Sequence, residues 1–128
     1  MLWIFIILIY HLFIQHPIEN IFCNHYLNSS IIKRPNGTIN GMPSGHVQIT
    51  ALCLFLLYFY HELSIYICLG GVILMGIQRM ICKMHTLFQV LVSILLGFIY
   101  AYIYSYDLLY GFIGVLLLTI LLYVCIII

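Results

Sequence analysis

Residues 85–128 read HTLFQVLVSILLGFIYAYIYSYDLLYGFIGVLLLTILLYVCIII, and the one formally charged side chain in that run is Asp107. A helix crosses the hydrocarbon core of a bilayer with about 20 apolar residues, or about 17 at the short end. The run therefore holds two crossings, 85–104 and 107–128, separated at Ser105 to Asp107. Working back towards the N-terminus, polar interruptions at Pro17, Lys33 to Pro43, His61 to Ser64 and Arg79 to Met84 divide the rest into 2–16, 17–33, 44–60 and 64–80. Lipid leaves every backbone polar group to be satisfied inside its own segment, which selects helices over open strands. The reading is an all-α, integral membrane six-helix bundle, one domain over residues 1–128, with short connections that make successive helices antiparallel neighbours.

Composition agrees. The chain is 66% hydrophobic and 5% charged, with a mean hydropathy of +1.22, too few polar side chains to wet the surface of a globule. A net charge of +1 gives no basic field for nucleic acid, so the bilayer is the partner that composition implies. The opening MLWIFIILIYHLFIQHP lacks the positive region and small-residue cleavage site of a secretory signal and reads as a retained membrane segment. The five cysteines, Cys23, Cys53, Cys68, Cys82 and Cys125, show no metal-binding spacing and read as packing residues.

Six alternating crossings sort the charges. Lys33, Arg34, Arg79 and Lys83 fall at one face; Glu19, Glu62 and Asp107 fall at the other, with Tyr58, Tyr60, Tyr66, Tyr100, Tyr102, Tyr104, Tyr106 and Tyr110 as an aromatic belt. On the cationic face three polar stretches meet: IIKRP at 31–35, MPSGH at 42–46 and QRMICKMHTLFQ at 78–89. Pro43 and Ser44 suit a helix start, and Gly45 lets a ligand approach the backbone, where free N–H groups and the helix dipole favour an oxyanion. Arg34 and Arg79 can each grip phosphate bidentately. His46 and His85, at the starts of two segments, can approach one phosphate from opposite sides, one attacking while the other handles the leaving group. Gln89, one turn after His85, is placed to orient its ring. His11, His16, His25 and His61 lie outside these stretches and read as interfacial or packed; Gly70, Gly71 and Gly76 read as close-packing positions.

The order Arg34-Pro35, Pro43-Ser44-Gly45-His46 and Arg79-x5-His85 resembles the type 2 phosphatidic acid phosphatase superfamily, integral membrane lipid phosphatases akin to vanadium haloperoxidases and glucose-6-phosphatase. Its usual pattern is Lys-x6-Arg-Pro, Pro-Ser-Gly-His and Ser-Arg-x5-His-x3-Asp; here Leu27, Gln78 and Gln89 stand at the lysine, serine and aspartate positions. GMPSGHVQ and RMICKMHTLFQV are similar to the dolichyl-diphosphatase-like branch, in which a His-Thr-x-x-Gln-Val ending is common.

The resemblance implies that His85 attacks phosphorus to give a phosphohistidine, with His46 protonating the leaving oxygen and then activating water. Arg34, Arg79, Ser44 and the Gly45 amide hold the phosphate, Lys33 or Lys83 stands in for the missing lysine charge, and neither metal nor cofactor is needed. Gln89 in place of the aspartate predicts a slower enzyme. The expected substrate is a lipid phosphate or a polyprenyl, dolichyl-like diphosphate in the membrane. The alternatives are a catalytically impaired member that binds anionic lipid head groups, or a small structural membrane protein. Topology stays open: four cations on the catalytic face suggest a cytoplasmic site, although two of them are proposed phosphate ligands, whereas the sequons NSS at Asn28 and NGT at Asn36 on that same face favour a lumenal site in an internal membrane such as the endoplasmic reticulum.

Overall fold

The computed structural model describes residues 2–35 and 41–128. Among them the chain forms five long helices and one single turn, and no strand. Helix α1 runs Leu2–Tyr26 and contains a π-turn at His11–Gln15. The turn α2 spans Ser29–Ile32, α3 Gly45–Phe59, α4 Ile65–Ile81, α5 Leu87–Tyr106 and α6 Leu108–Ile127. By length and apolar composition α1, α5 and α6 are able to cross a membrane, while α3 and α4 are shorter apolar helices. The expected all-α membrane bundle is thus the observed architecture.

One boundary differs. Pro17 does not mark a break between segments, because the helix continues through it. Proline lacks an N–H and its ring crowds the carbonyl one turn earlier; the π-turn that ends at Gln15 widens the helix just there and makes room for the ring. Two expected segments merge into one, so α1 begins at the end of the bundle marked by Asp107 and Tyr60, beside which Trp3 lies.

Each helix after α2 starts on a side-chain cap that satisfies its first free N–H groups. Ser44 accepts from Val47 N–H at 3.5 Å and Ser64 from Ile67 N–H at 3.4 Å. Thr86 and Gln89 form a reciprocal capping box, and Asp107 accepts from Leu109 and Tyr110 N–H.

The centre of the bundle is the α3–α5 crossing. A Cβ on Gly97 would stand 2.6 Å from Ala51 Cβ and 2.7 Å from the Gln48 carbonyl oxygen, so only glycine permits this approach. Ala51, Leu52, Phe55 and Leu56 of α3 pack with Tyr100, Ala101 and Tyr104 of α5, Cys68 and Val72 of α4, and Ile7 and Val115 from α1 and α6.

Two expected interfacial assignments are corrected. Tyr100 and Tyr104 are buried and lie outside any belt, whereas Tyr66, Tyr106 and Tyr110 are exposed. Glu19 is 5% exposed inside the bundle, where it accepts hydrogen bonds from Gln15 Nε2 (2.8 Å), Gln48 Nε2 (2.7 Å) and Tyr100 Oη. An ionisable residue at membrane depth persists where partners of this kind surround it.

Candidate active site

The Arg79-x5-His85 spacing has a backbone cause. After α4, Lys83 takes φ 55°, its N–H donates to Met80 O at 3.0 Å, and Met84 N–H donates to Arg79 O at 3.1 Å. This is a Schellman closure, with lysine in the left-handed position where glycine is usual. It reverses the chain within a few residues, leaving Arg79 on the last turn of α4 and His85 just ahead of the Thr86 cap of α5.

A second set of bonds fixes the opposite wall. Gln89 Nε2 donates to the carbonyls of Ile31 (2.9 Å) and Lys33 (3.0 Å), Gly41 N–H donates to Ile32 O at 2.7 Å, and Asn20 Nδ2 donates to Met42 O at 2.9 Å. Ser44 N–H donates to Ser93 Oγ at 2.6 Å, and that hydroxyl donates on to Gln89 O at 2.7 Å. These bonds hold Arg34 and Gly41 against α5.

His85 Nδ1 lies 2.8 Å from the Gly41 carbonyl oxygen. A carbonyl only accepts, so Nδ1 carries the hydrogen and the neutral ring keeps its lone pair on Nε2. Gly41 must be small, since a Cβ there would stand 2.7 Å from Arg34 Cγ and 2.9 Å from His85 Nδ1. Burial lowers the His85 pKa from its ordinary value, helped by the charges of Arg34 and Arg79 and opposed by the Gly41 carbonyl and the Gln89 amide. Burial and the nearby Arg79 charge likewise lower that of Arg34.

Arg34, Gly45, His46, Arg79 and His85 line one cavity of about 440 Å³, together with Leu12, His16, Asn20, Pro43, Ile49, Thr50 and Met84. Two arginines and three imidazoles face this space, and no carboxylate is among its described lining residues. The buried Nε atoms of Arg34 and Arg79 have no hydrogen-bond partner among the described residues. Buried guanidinium N–H groups without a partner are costly, and an oxyanion is the kind of partner that would satisfy them. No group of three or more His, Cys, Asp or Glu side chains suited to a metal ion occurs among the described residues.

Other residues singled out in the sequence stand apart from the cavity lining. Ser44 is fully buried and its hydroxyl caps α3. Lys33 and Lys83 are exposed, and Leu27, at the family's lysine position, is 37% exposed at the end of α1. Gln89 spends its amide on Ile31, Lys33 and the Thr86 cap, so Gly41 is the principal partner of His85. Asn36 falls outside the described residues. Asn20 and Gly41 escaped the sequence reading, and His16, read there as interfacial or packed, lines the cavity. The polar face of α1 at Gln15, Glu19 and Asn20 is their one sequence signal, and it reads equally as an interface.

Neither the curated proteins nor the solved structures give a match. The family model of the PAP2 superfamily matches residues 2–126, all but the ends of the chain, and with its motifs gathered around one arginine- and histidine-lined cavity the chain belongs to that superfamily.

Proposed function

We propose that this chain is a single membrane-embedded domain, residues 1–128, that hydrolyses a lipid phosphate or a polyprenyl, dolichyl-like diphosphate through a phosphohistidine. Membership of the superfamily supports a phosphatase-type function. The observation that carries the finer reading is the fixed Nδ1–H of His85, which leaves Nε2 as the nucleophilic atom in a cavity shared with Arg34, Arg79 and His46.

In the proposed reaction His85 Nε2 attacks phosphorus, the bond from phosphorus to the bridging or ester oxygen breaks, and His46 donates its proton to that oxygen. Neutral His46 then takes a proton from water, whose oxygen attacks phosphorus and expels Nε2, giving inorganic phosphate. Arg34 and Arg79 hold the equatorial oxygens and offset the charge gathered in the transition state, and the Gly45 amide is at hand at the start of α3. The reaction as drawn uses no metal ion. Ser44 contributes by fixing the helix start, and Lys33 and Lys83 by the positive charge of that face.

The test is release of inorganic phosphate from farnesyl or dolichyl diphosphate by purified protein in detergent with chelator present. Wild type is expected to exceed His85→Ala by several orders of magnitude. Equal release by the two would instead favour a non-catalytic binder of anionic lipid heads, the reading to which Leu27 lends support because no lysine stands there. Asn28 of the NSS sequon is exposed on the cavity side of α1, which supports a lumenal site in an internal membrane such as the endoplasmic reticulum. A glycosidase-sensitive mobility shift lost in Asn28→Gln tests this.

A further inference from the structure

The superfamily motifs account for Arg34, the 43–46 turn, Arg79 and His85. They do not account for His16, which lines the same cavity from α1. Its ring lies against the start of α3, so close that a Cβ on Gly45 would come within 2.8 Å of His16 Nε2. Its other nitrogen, Nδ1, is 3.3 Å from Gln48 Oε1, and Gln48 Nε2 donates to Glu19 Oε2 at 2.7 Å.

These bonds fix a tautomer. A carboxylate accepts, so the end of Gln48 turned to Glu19 is its NH2 group and the end turned to His16 is its oxygen. An amide oxygen also only accepts, so His16 Nδ1 carries a hydrogen. Nε2 is therefore the atom left for the cavity. In the neutral ring it accepts from a phosphate O–H; in the protonated ring it is a charged donor to a phosphate oxygen. Glu19 is held in turn by Gln15 Nε2 and Tyr100 Oη, which keeps the relay anchored between α1, α3 and α5.

We propose that His16 is a third phosphate-contacting imidazole of the cavity, presented through Nε2, with Gln48 and Glu19 as its positioning residues. The ligand is a phosphate oxyanion, borne by a lipid head group or free. The proposal rests on the reading of this cavity as the phosphate site. It goes beyond that reading by adding a ligand group and a relay from the membrane interior. His16 lines the cavity, and the hydrogen bond of its ring to Gln48 engages Nδ1 and leaves Nε2 for the ligand.

The experiment is nitrogen NMR of protein carrying 15N-labelled histidine in detergent micelles. Inorganic phosphate is titrated into wild type and farnesyl phosphate into His85→Ala. His16 is expected as the Nδ1–H tautomer, its Nε2 resonance moving with the same midpoint as the His46 ring in both arms, and at lower concentration with the lipid if the head group is the natural ligand. In Glu19→Gln the new amide can donate to Gln48, which turns over; His16 is then expected to shift towards the Nε2–H tautomer and phosphate to bind about tenfold more weakly, a neutral donor standing where wild type offers a charged one. If His46 and His85 respond to phosphate while His16 stays silent, His16 is a packing residue and the proposal falls alone. If none of the three responds, the phosphate-site reading falls with it. The wild-type titration decides the contact without any variant.

Discussion

At the residue scale, the motif residues were readable because their chemistry is concentrated: two arginines and two histidines in a chain with only 5% charged residues are conspicuous. Gly41 was not, since a glycine beside a polar loop carries no sign of what crowds it. The structure gives it a sharp prediction. In Gly41→Ala the added methyl meets Arg34 Cγ and His85 Nδ1 inside contact distance, so both must shift. Displacing a nucleophile by about 1 Å costs on the order of 100-fold in turnover. A purified Gly41→Ala protein that folds and keeps wild-type phosphate release would refute this placement of His85. The lowered pKa of His85 sets a second expectation. Because the attacking ring must be neutral, the acid limb of kcat/KM is expected to fall below about 6.5, the ordinary histidine value. Stability follows the same sign: as pH drops below about 6.5 the unfolded chain takes up the proton first, so the folded state loses stability until the His85 pKa itself is reached. An acid limb above 6.5 assigned to His85 contradicts the lowering by burial and the two arginines.

At the scale of elements, four of the six expected segments match observed helices to within a few residues, α3 to α6. Their ends are written in side chains, Ser44, Ser64, Thr86 and Asp107, which cap in any context. The first two segments failed at Pro17 because a proline is an ordinary helix stop, and the π-turn that accommodates it has no sequence signature. That single difference moves His16 and Glu19 from a supposed far interface into the bundle. Gln89 shows the same limit. Its spacing from His85 suggested a partner for the ring, yet what its amide mainly does is tie two carbonyls of the Ile31–Lys33 stretch to α5. Gln89→Asp, which restores the family residue, is therefore expected to harm this chain, because a carboxylate donates nothing to those carbonyls and is repelled by them. The loss should be about 2 kcal/mol in stability, seen as a lower unfolding midpoint in detergent, with reduced phosphate release as Arg34 loosens. A faster, equally stable Gln89→Asp protein would restore the simple view that the aspartate is merely missing.

For the whole molecule, the chain is an integral membrane protein whose polar chemistry is gathered at one end. That end was legible: Lys33, Arg34, Arg79 and Lys83 share it just as six crossings also required, because merging the first two segments removes a crossing ahead of all four cations. The position of the N-terminus is where five and six crossings diverge. Six crossings put residue 2 on the cavity side, with Cys82; five put it on the other side, where Trp3 lies beside Tyr60, Glu62 and Leu108. Cys82 is exposed in the turn between α4 and α5 and serves as the native marker for the cavity side. In sealed vesicles, a membrane-impermeant thiol reagent is expected to divide the variants Leu2→Cys and Glu62→Cys, each in a Cys82→Ser background, from the native Cys82: the first pair labelled from one face and Cys82 from the other. Leu2→Cys labelling together with Cys82 would mean that the chain does turn at Pro17. The π-turn would then be lost, and with it the route by which His16, Gln48 and Glu19 reach one another.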